Sequence, residues 1–145
     1  KVNMALNDRN RLFFSLYSGG DHTVFNKLIK GYGMDWGNAT ATVRWNHILN
    51  DRTNINTSAV FSNYYYRYKS LADGLQYLWK SDMQSYQLKS DWETHLNNSL
   101  SLKTGVSAHF FTTMPGSVEK YGDESNVVPS RLPKDLVGYS SLCRG

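Results

Sequence analysis

The segment Tyr86-Gln87-Leu88-Lys89-Ser90-Asp91-Trp92-Glu93-Thr94-His95-Leu96 alternates apolar and polar residues. Tyr86, Leu88, Trp92, Thr94 and Leu96 share one face, with Ser90 interrupting, and Gln87, Lys89, Asp91, Glu93 and His95 share the other. After Asn97-Asn98-Ser99 the design repeats: Leu100, Leu102, Thr104, Val106, Ala108 and Phe110 oppose Ser101, Lys103, Gly105, Ser107 and His109. A period of two marks β-strands. A three-residue loop at 97–99 places Leu96 opposite Leu100, Glu93 opposite Lys103 and Gln87 opposite His109. Directly opposed residues point to the same side, so this register keeps both apolar sets together and adds a cross-strand charge match. A two-residue loop would scramble the faces.

Outward from this hairpin the construction recurs twice. Val2, Met4 and Leu6 alternate, Asp8-Arg9-Asn10 turns, and Leu12, Phe14 and Leu16 follow, with Leu6 facing Leu12 and Met4 facing Phe14. Ala39, Ala41, Val43 and Trp45 alternate with Thr40, Thr42, Arg44 and Asn46; Asn50-Asp51-Arg52 turns; Ile55, Thr57, Ala59 and Phe61 follow, although Val60 and Tyr64 have the opposite phase. Asn7-Asp8-Arg9 and Asn50-Asp51-Arg52 share letters, and the three turns recur at a repeat-like spacing. Between the hairpins the chain reads as long connections, Ser18 to Gly37, Lys69 to Ser85 and Thr112 to Lys134. The leucines near Asp73–Lys80 suggest a turn of helix inside the second.

The fold expected is therefore all-β, an antiparallel meander of three long hairpins with six strands, or seven if Leu136 to Leu142 is one. Short turns at one edge and long loops at the other is the outer-membrane barrel arrangement. Lipid would take the apolar face. The opposite face carries Asn3, Ser15, Thr40, Thr42, Arg44, Asn46, Lys89, Asp91, Glu93, Lys103 and His109, which must meet water or each other, since unpaired ions in a dry core are costly. Tyr17, Tyr64, Tyr65, Tyr66, Tyr86, Phe110 and Phe111 collect near the expected long-loop ends, and Trp45 and Trp92 near the tight turns, as two interfacial girdles would.

Composition narrows the alternatives. The 145 residues carry a net charge of only +4 and 14% aromatic residues, too aromatic for a disordered chain. No apolar run approaches the ~18 residues of a membrane helix, and the single cysteine, Cys143, excludes a disulfide scaffold. The basic residues are scattered, which argues against nucleic acid. Lys1-Val2-Asn3 and Cys143-Arg144-Gly145 read as the ends of a piece of something longer.

Trp36-Gly37-Asn38, Thr40-Ala41-Thr42-Val43-Arg44-Trp45-Asn46-His47, Ser62-Asn63-Tyr64-Tyr65-Tyr66 and the stretch Leu12 to Asp21 resemble the barrel of TonB-dependent outer-membrane receptors. The likeness is one of strand and loop style across most of the chain. It implies active uptake of an iron chelate, a cobalamin or a glycan through the bacterial outer membrane. It also implies contact with outer-membrane lipid, and energy received from TonB through a plug domain. Nothing in residues 1–145 matches that plug, so the chain is read as a single segment of the barrel wall. Large plugged transporters have ~22 strands, and an isolated segment of this size is expected to self-associate through its open edges and apolar face.

The side chains do not suggest an enzyme. His22, His47, His95 and His109 lack zinc spacing, no cofactor motif appears, and Asp91 and Glu93 are better explained by balance with Lys89 and Lys103. Gly105 inside a strand suggests a close backbone approach or a bend. The residues offered for ligand binding are aromatics in the expected loops, Tyr32, Trp36, Tyr77, Trp79 and Tyr121, whose rings can stack on sugars or apolar ligands. The competing reading is a soluble β-sandwich or propeller-like carbohydrate-binding module. Strands of ten or more residues favour the membrane wall over it.

Overall fold

The computed structural model describes residues 1–27, 30–70, 72, 76–120, 128–132 and 135–142. They form one open antiparallel sheet: β1 (Val2–Asn7), β2 (Asn10–Lys27), β3 (Lys30–Asn50), β4 (Thr53–Ser70), β5 (Tyr77–Asn97) and β6 (Leu100–Lys120), each paired with the next. The far edge of β6 takes the two-residue β7 (Ser130–Arg131) and then β8 (Asp135–Leu142), which pairs across Val106–Thr113. The expected all-β meander is what forms, and 136–142 lies in a strand.

Strand length departs from expectation. β2 and β4 have 18 residues each, and β3, β5 and β6 have 21. Ser18 to Gly37 is therefore not a loop: Gly19 pairs with Asn38, and pairing continues out to Lys27 with Lys30. Likewise β4 runs to Ser70 and β5 begins at Tyr77, so Tyr77–Lys80 is extended strand and not part of a helical turn; 73–75 lies outside the described residues. β6 continues through Lys120, well into the third expected connection.

The tight turns share one device. In each hairpin the register slips by one residue just before an asparagine, between Ala5 and Asn7, Ile48 and Asn50, and His95 and Asn97. The slip leaves Leu6, Leu49 and Leu96 as bulged residues. The asparagine side chain then accepts a backbone N–H two residues on: Arg9 to Asn7 at 3.0 Å, Arg52 to Asn50 at 2.9 Å and Ser99 to Asn97 at 2.9 Å. Such Asx turns let the chain reverse in two residues. The bulge restores the parity that a bare two-residue turn would break. Glu93 thus faces Lys103 and Gln87 faces His109 as expected, whereas Asn97, not Leu96, faces Leu100. In the first hairpin Met4 pairs with Leu12 and Val2 with Phe14, two residues away from the expected register but on the same face.

Registers across the sheet bring the apolar positions into one band. Met4, Leu12, Trp45, Thr57, Ser90 and Val106 form one transverse row; Val2, Phe14, Val43, Ala59, Leu88 and Ala108 the next; Leu16, Ala41, Phe61, Tyr86 and Phe110 a third. Ile55, Thr57, Ala59 and Phe61 thus lie on the apolar face. Ser90 is accommodated there because Trp92 Nε1 donates to its hydroxyl at 2.9 Å and Thr57 Oγ1 lies 3.1 Å away. Local pairing of this kind satisfies the polar group within its apolar surroundings.

Among the described residues no hydrophobic side chain is buried. Leu88 is 57% exposed, Val106 53% and Phe110 54%. The accessible surface is 10732 Å², against about 7,600 Å² for a compact monomer of this mass. The described residues form a single sheet with no second layer over its apolar face.

At the top of the band Tyr65 lies over Gly37. A Cβ on Gly37 would come within 2.8 Å of both the Tyr65 ring and the Gly19 carbonyl. Gly105 serves the opposite face, where a Cβ would lie 2.7 Å from Asp91 Oδ1. This is the close approach read from the sequence.

Candidate ligand-binding surface

Each face changes character halfway along the long strands. On the apolar face the band ends near Leu16, Ala41, Phe61, Tyr86 and Phe110. Above it the same face carries charge: His22 pairs with Asp35, Lys80 Nζ lies 2.6 Å from Glu119, and the Arg67 guanidinium sits 5.3 Å from the Tyr65 ring centre. On the opposite face the lower half is polar. Lys89 pairs with Asp91 at 2.8 Å and Lys103 with Glu93 at 3.0 Å, as charge balance suggested. Asn46 Nδ2 donates to Asn54 and Asn56 at 3.0 and 2.9 Å, and Ser85 and His109 are 2.7 Å apart. The upper half of this face is aromatic.

Four of the five aromatics offered as ligand residues meet there, and not in loops. Tyr32 and Trp36 stand on β3, Tyr77 and Trp79 on β5, all at positions of the same face. Tyr121 lies outside the described residues. Tyr64, Tyr66 and Tyr68 of β4 and Phe25 of β2 join them. Phe25 and Tyr32 stack with centroids 5.2 Å apart and planes 20° apart, Tyr32 and Tyr68 at 6.1 Å and 20°, and Tyr68 and Tyr77 at 6.0 Å and 44°. A ladder of four rings therefore crosses four adjacent strands. Trp36 is registered with Tyr66, whose hydroxyl donates to Met34 Sδ at 3.3 Å, and Trp79 with Tyr68. Crowding lifts the Tyr68 phenol above its ordinary pKa: loss of solvent contributes most, then the neighbouring phenols of Tyr77, Tyr32 and Tyr66.

The girdle reading divides along the same line. Tyr65, Tyr86 and Phe110 stand on the apolar face at its upper margin, and Trp45 and Trp92 on that face near the tight turns. Tyr17, Tyr64, Tyr66 and Phe111 point the other way, so they are not part of a lipid-side girdle. Of the residues missed for the ladder, Tyr68 has a signal in the sequence: Tyr64-Tyr66-Tyr68 keeps a period of two up to the expected connection at Lys69, and Tyr32-Met34-Trp36 and Tyr77-Trp79 keep it inside the expected connections.

The histidines do not converge. His47 Nδ1 is 2.8 Å from Asn10 Oδ1, and His95 Nδ1 is 2.6 Å from Ser101 Oγ. Among the described residues no three His, Cys, Asp or Glu side chains gather as metal ligands, and Cys143 lies outside them. Comparison with family models, curated proteins and solved structures finds no match to the chain.

Proposed function

We propose that this chain forms part of the wall of a TonB-dependent outer-membrane receptor that actively takes up a nutrient, an iron chelate, a cobalamin or a glycan. One observation carries the reading: a coreless single-layer sheet bears an apolar band of bilayer height on one face, with charge directly above it on that same face. Along β5 the band runs from Tyr86 to Leu96. Ten steps of about 3.3 Å, tilted about 45°, rise about 23 Å, close to the ~25 Å apolar band of outer-membrane barrels. Outer-membrane lipid covers this band, and the polar half of the other face lines a wet or plugged interior. The upper halves of the strands stand beyond the hydrocarbon, where the outer surface meets water and the inner surface presents the aromatic ladder to incoming solute. Energy coupling through TonB and a plug belongs to parts of the receptor beyond residues 1–145.

Strand length also favours this reading over a soluble sandwich or propeller module, whose strands are typically about 5–6 residues. Cell fractionation tests it. The full-length protein is expected in the outer-membrane fraction, and recovery in the soluble cytoplasm refutes it.

A further inference from the structure

The aromatic half of the inner face has a composition that narrows its ligand. From the row of Tyr17 up to the row of Phe25 and Tyr77, the described side chains include one carboxylate, Asp21, and, at the upper margin, one ammonium, Lys120. The rest are rings, hydroxyls, an amide, thioethers and the aliphatic Val118, including Thr40, Ser62, Ser85 and Asn38 just below the ladder. The Tyr32 and Tyr77 rings flank that of Tyr68, with centroids 6.1 and 6.0 Å away. Each phenol is a neutral group that both donates and accepts. Recognition of an anionic chelate uses guanidinium or ammonium groups; among the described side chains of this surface there is no guanidinium, and the one ammonium, Lys120, stands at the end of the ladder opposite Tyr77.

We infer that the ladder Phe25–Tyr32–Tyr68–Tyr77, flanked by Trp36 and Trp79, binds an uncharged oligosaccharide lying across the strands. This rests on the reading of the chain as part of an uptake barrel. Successive rings follow one another at 5.2, 6.1 and 6.0 Å. A hexopyranose unit is about as long as the roughly 4.8 Å between neighbouring strands, so a chain of three or four units presents one sugar to each rung. The apolar C–H faces of pyranoses rest against ring surfaces, and the clustered phenols exchange hydrogen bonds with sugar hydroxyls. A neutral ligand needs no partner charge along the ladder, whereas a ligand with a carboxylate or phosphate on each unit would find one ammonium, that of Lys120, at one end and desolvate its other charges unpaired.

The test uses the full-length protein in detergent and isothermal titration with tetrasaccharides of neutral hexose polymers, an oligogalacturonate, an anionic ferric chelate and cobalamin. At least one neutral tetrasaccharide is expected to bind, and the oligogalacturonate of equal length not to. Tyr68→Ala and Trp36→Ala each weaken binding about tenfold or more, in line with the loss of a stacked ring. Tyr68→Phe restores the stacking part of the affinity but not the hydrogen-bonding part. Barrel assembly, read from the heat-dependent gel mobility of the folded form, is measured on the same variants. A purely structural ladder would lower assembly and leave the affinity of the folded fraction unchanged, which overturns the inference. Binding of the chelate or the corrinoid with no neutral glycan bound also overturns it, while leaving the uptake reading intact. Absence of binding to the whole panel overturns it as well. Recovery of the protein outside the outer membrane removes the uptake reading itself.

Discussion

A charge placed on the band should cost more the closer it lies to the bilayer midplane. Val106 sits opposite Ser90, near the centre of both Tyr86–Leu96 and Leu100–Phe110, and is 53% exposed. An arginine there faces hydrocarbon, for which about 2–4 kcal/mol of destabilisation is expected at the midplane, falling to about 0–1 near an interface. Leu102, four residues nearer the tight turn and opposite Thr94, is displaced by about 9 Å after tilt, so Leu102→Arg should cost about 1 kcal/mol. Gln87→Arg, on the other face opposite His109, reaches the polar interior and should cost less than about 0.5 kcal/mol. The assay is the amount of folded protein in outer-membrane fractions together with the temperature at which the folded gel form is lost. The order Val106→Arg, then Leu102→Arg, then Gln87→Arg is expected. Equal damage from Gln87→Arg and Val106→Arg would refute the assignment of faces.

Gly37→Ala should destabilise the assembled form by about 1–3 kcal/mol. Tyr65→Ala in the same chain should restore only part of this, because the Gly19 carbonyl still lies 2.8 Å from the new Cβ; full rescue in the heat-dependent gel assay would contradict the geometry. The Tyr68 phenol, which stands above the band, should ionise above the ordinary phenol value of about 10. Its folded pKa is raised, so its contribution to stability is present below that value and lost as pH rises through the raised one. The ultraviolet titration difference between the parent and Tyr68→Phe reads this, and an ordinary or lowered pKa would count against the crowding. Purified alone in plain buffer, residues 1–145 should self-associate through the free edges of β1 and β8 and the apolar face; a monomer at high concentration in sedimentation would contradict that.

The lower half of the sheet is readable because its two faces differ in polarity and alternate residues show the difference. Leu88 against Lys89 and Leu102 against Lys103 reveal the faces without coordinates, and the Glu93–Lys103 match fixes the register. The upper half was misread for a physical reason. Above the apolar band the same face becomes charged and the opposite face becomes aromatic, so the alternation persists with its sign reversed. Asp35 and Arg67 occupy the face that Val43 and Phe61 hold lower down. Gly37 closes the stretch Ser18 to Gly37 that reads as a connection, although in the sheet it makes room for the Tyr65 ring. The bulges at Leu49 and Leu96 are hidden because a three-residue loop and a two-residue turn with one bulge give the same register further along; in the first hairpin the loop expected at 8–10 lies one residue too far along, which shifts the register by two.

Spin labels at single cysteines from 86 to 92 and at 67 and 80, in the full-length protein in outer-membrane vesicles with Cys143→Ser, measure lipid and water contact most directly. Collision with oxygen should peak at 86, 88, 90 and 92, and collision with a water-soluble nickel chelate at 87, 89 and 91, while 67 and 80 follow the chelate. A flat profile, or labels at 88 and 92 shielded from both reagents, would show that protein rather than lipid covers the apolar face.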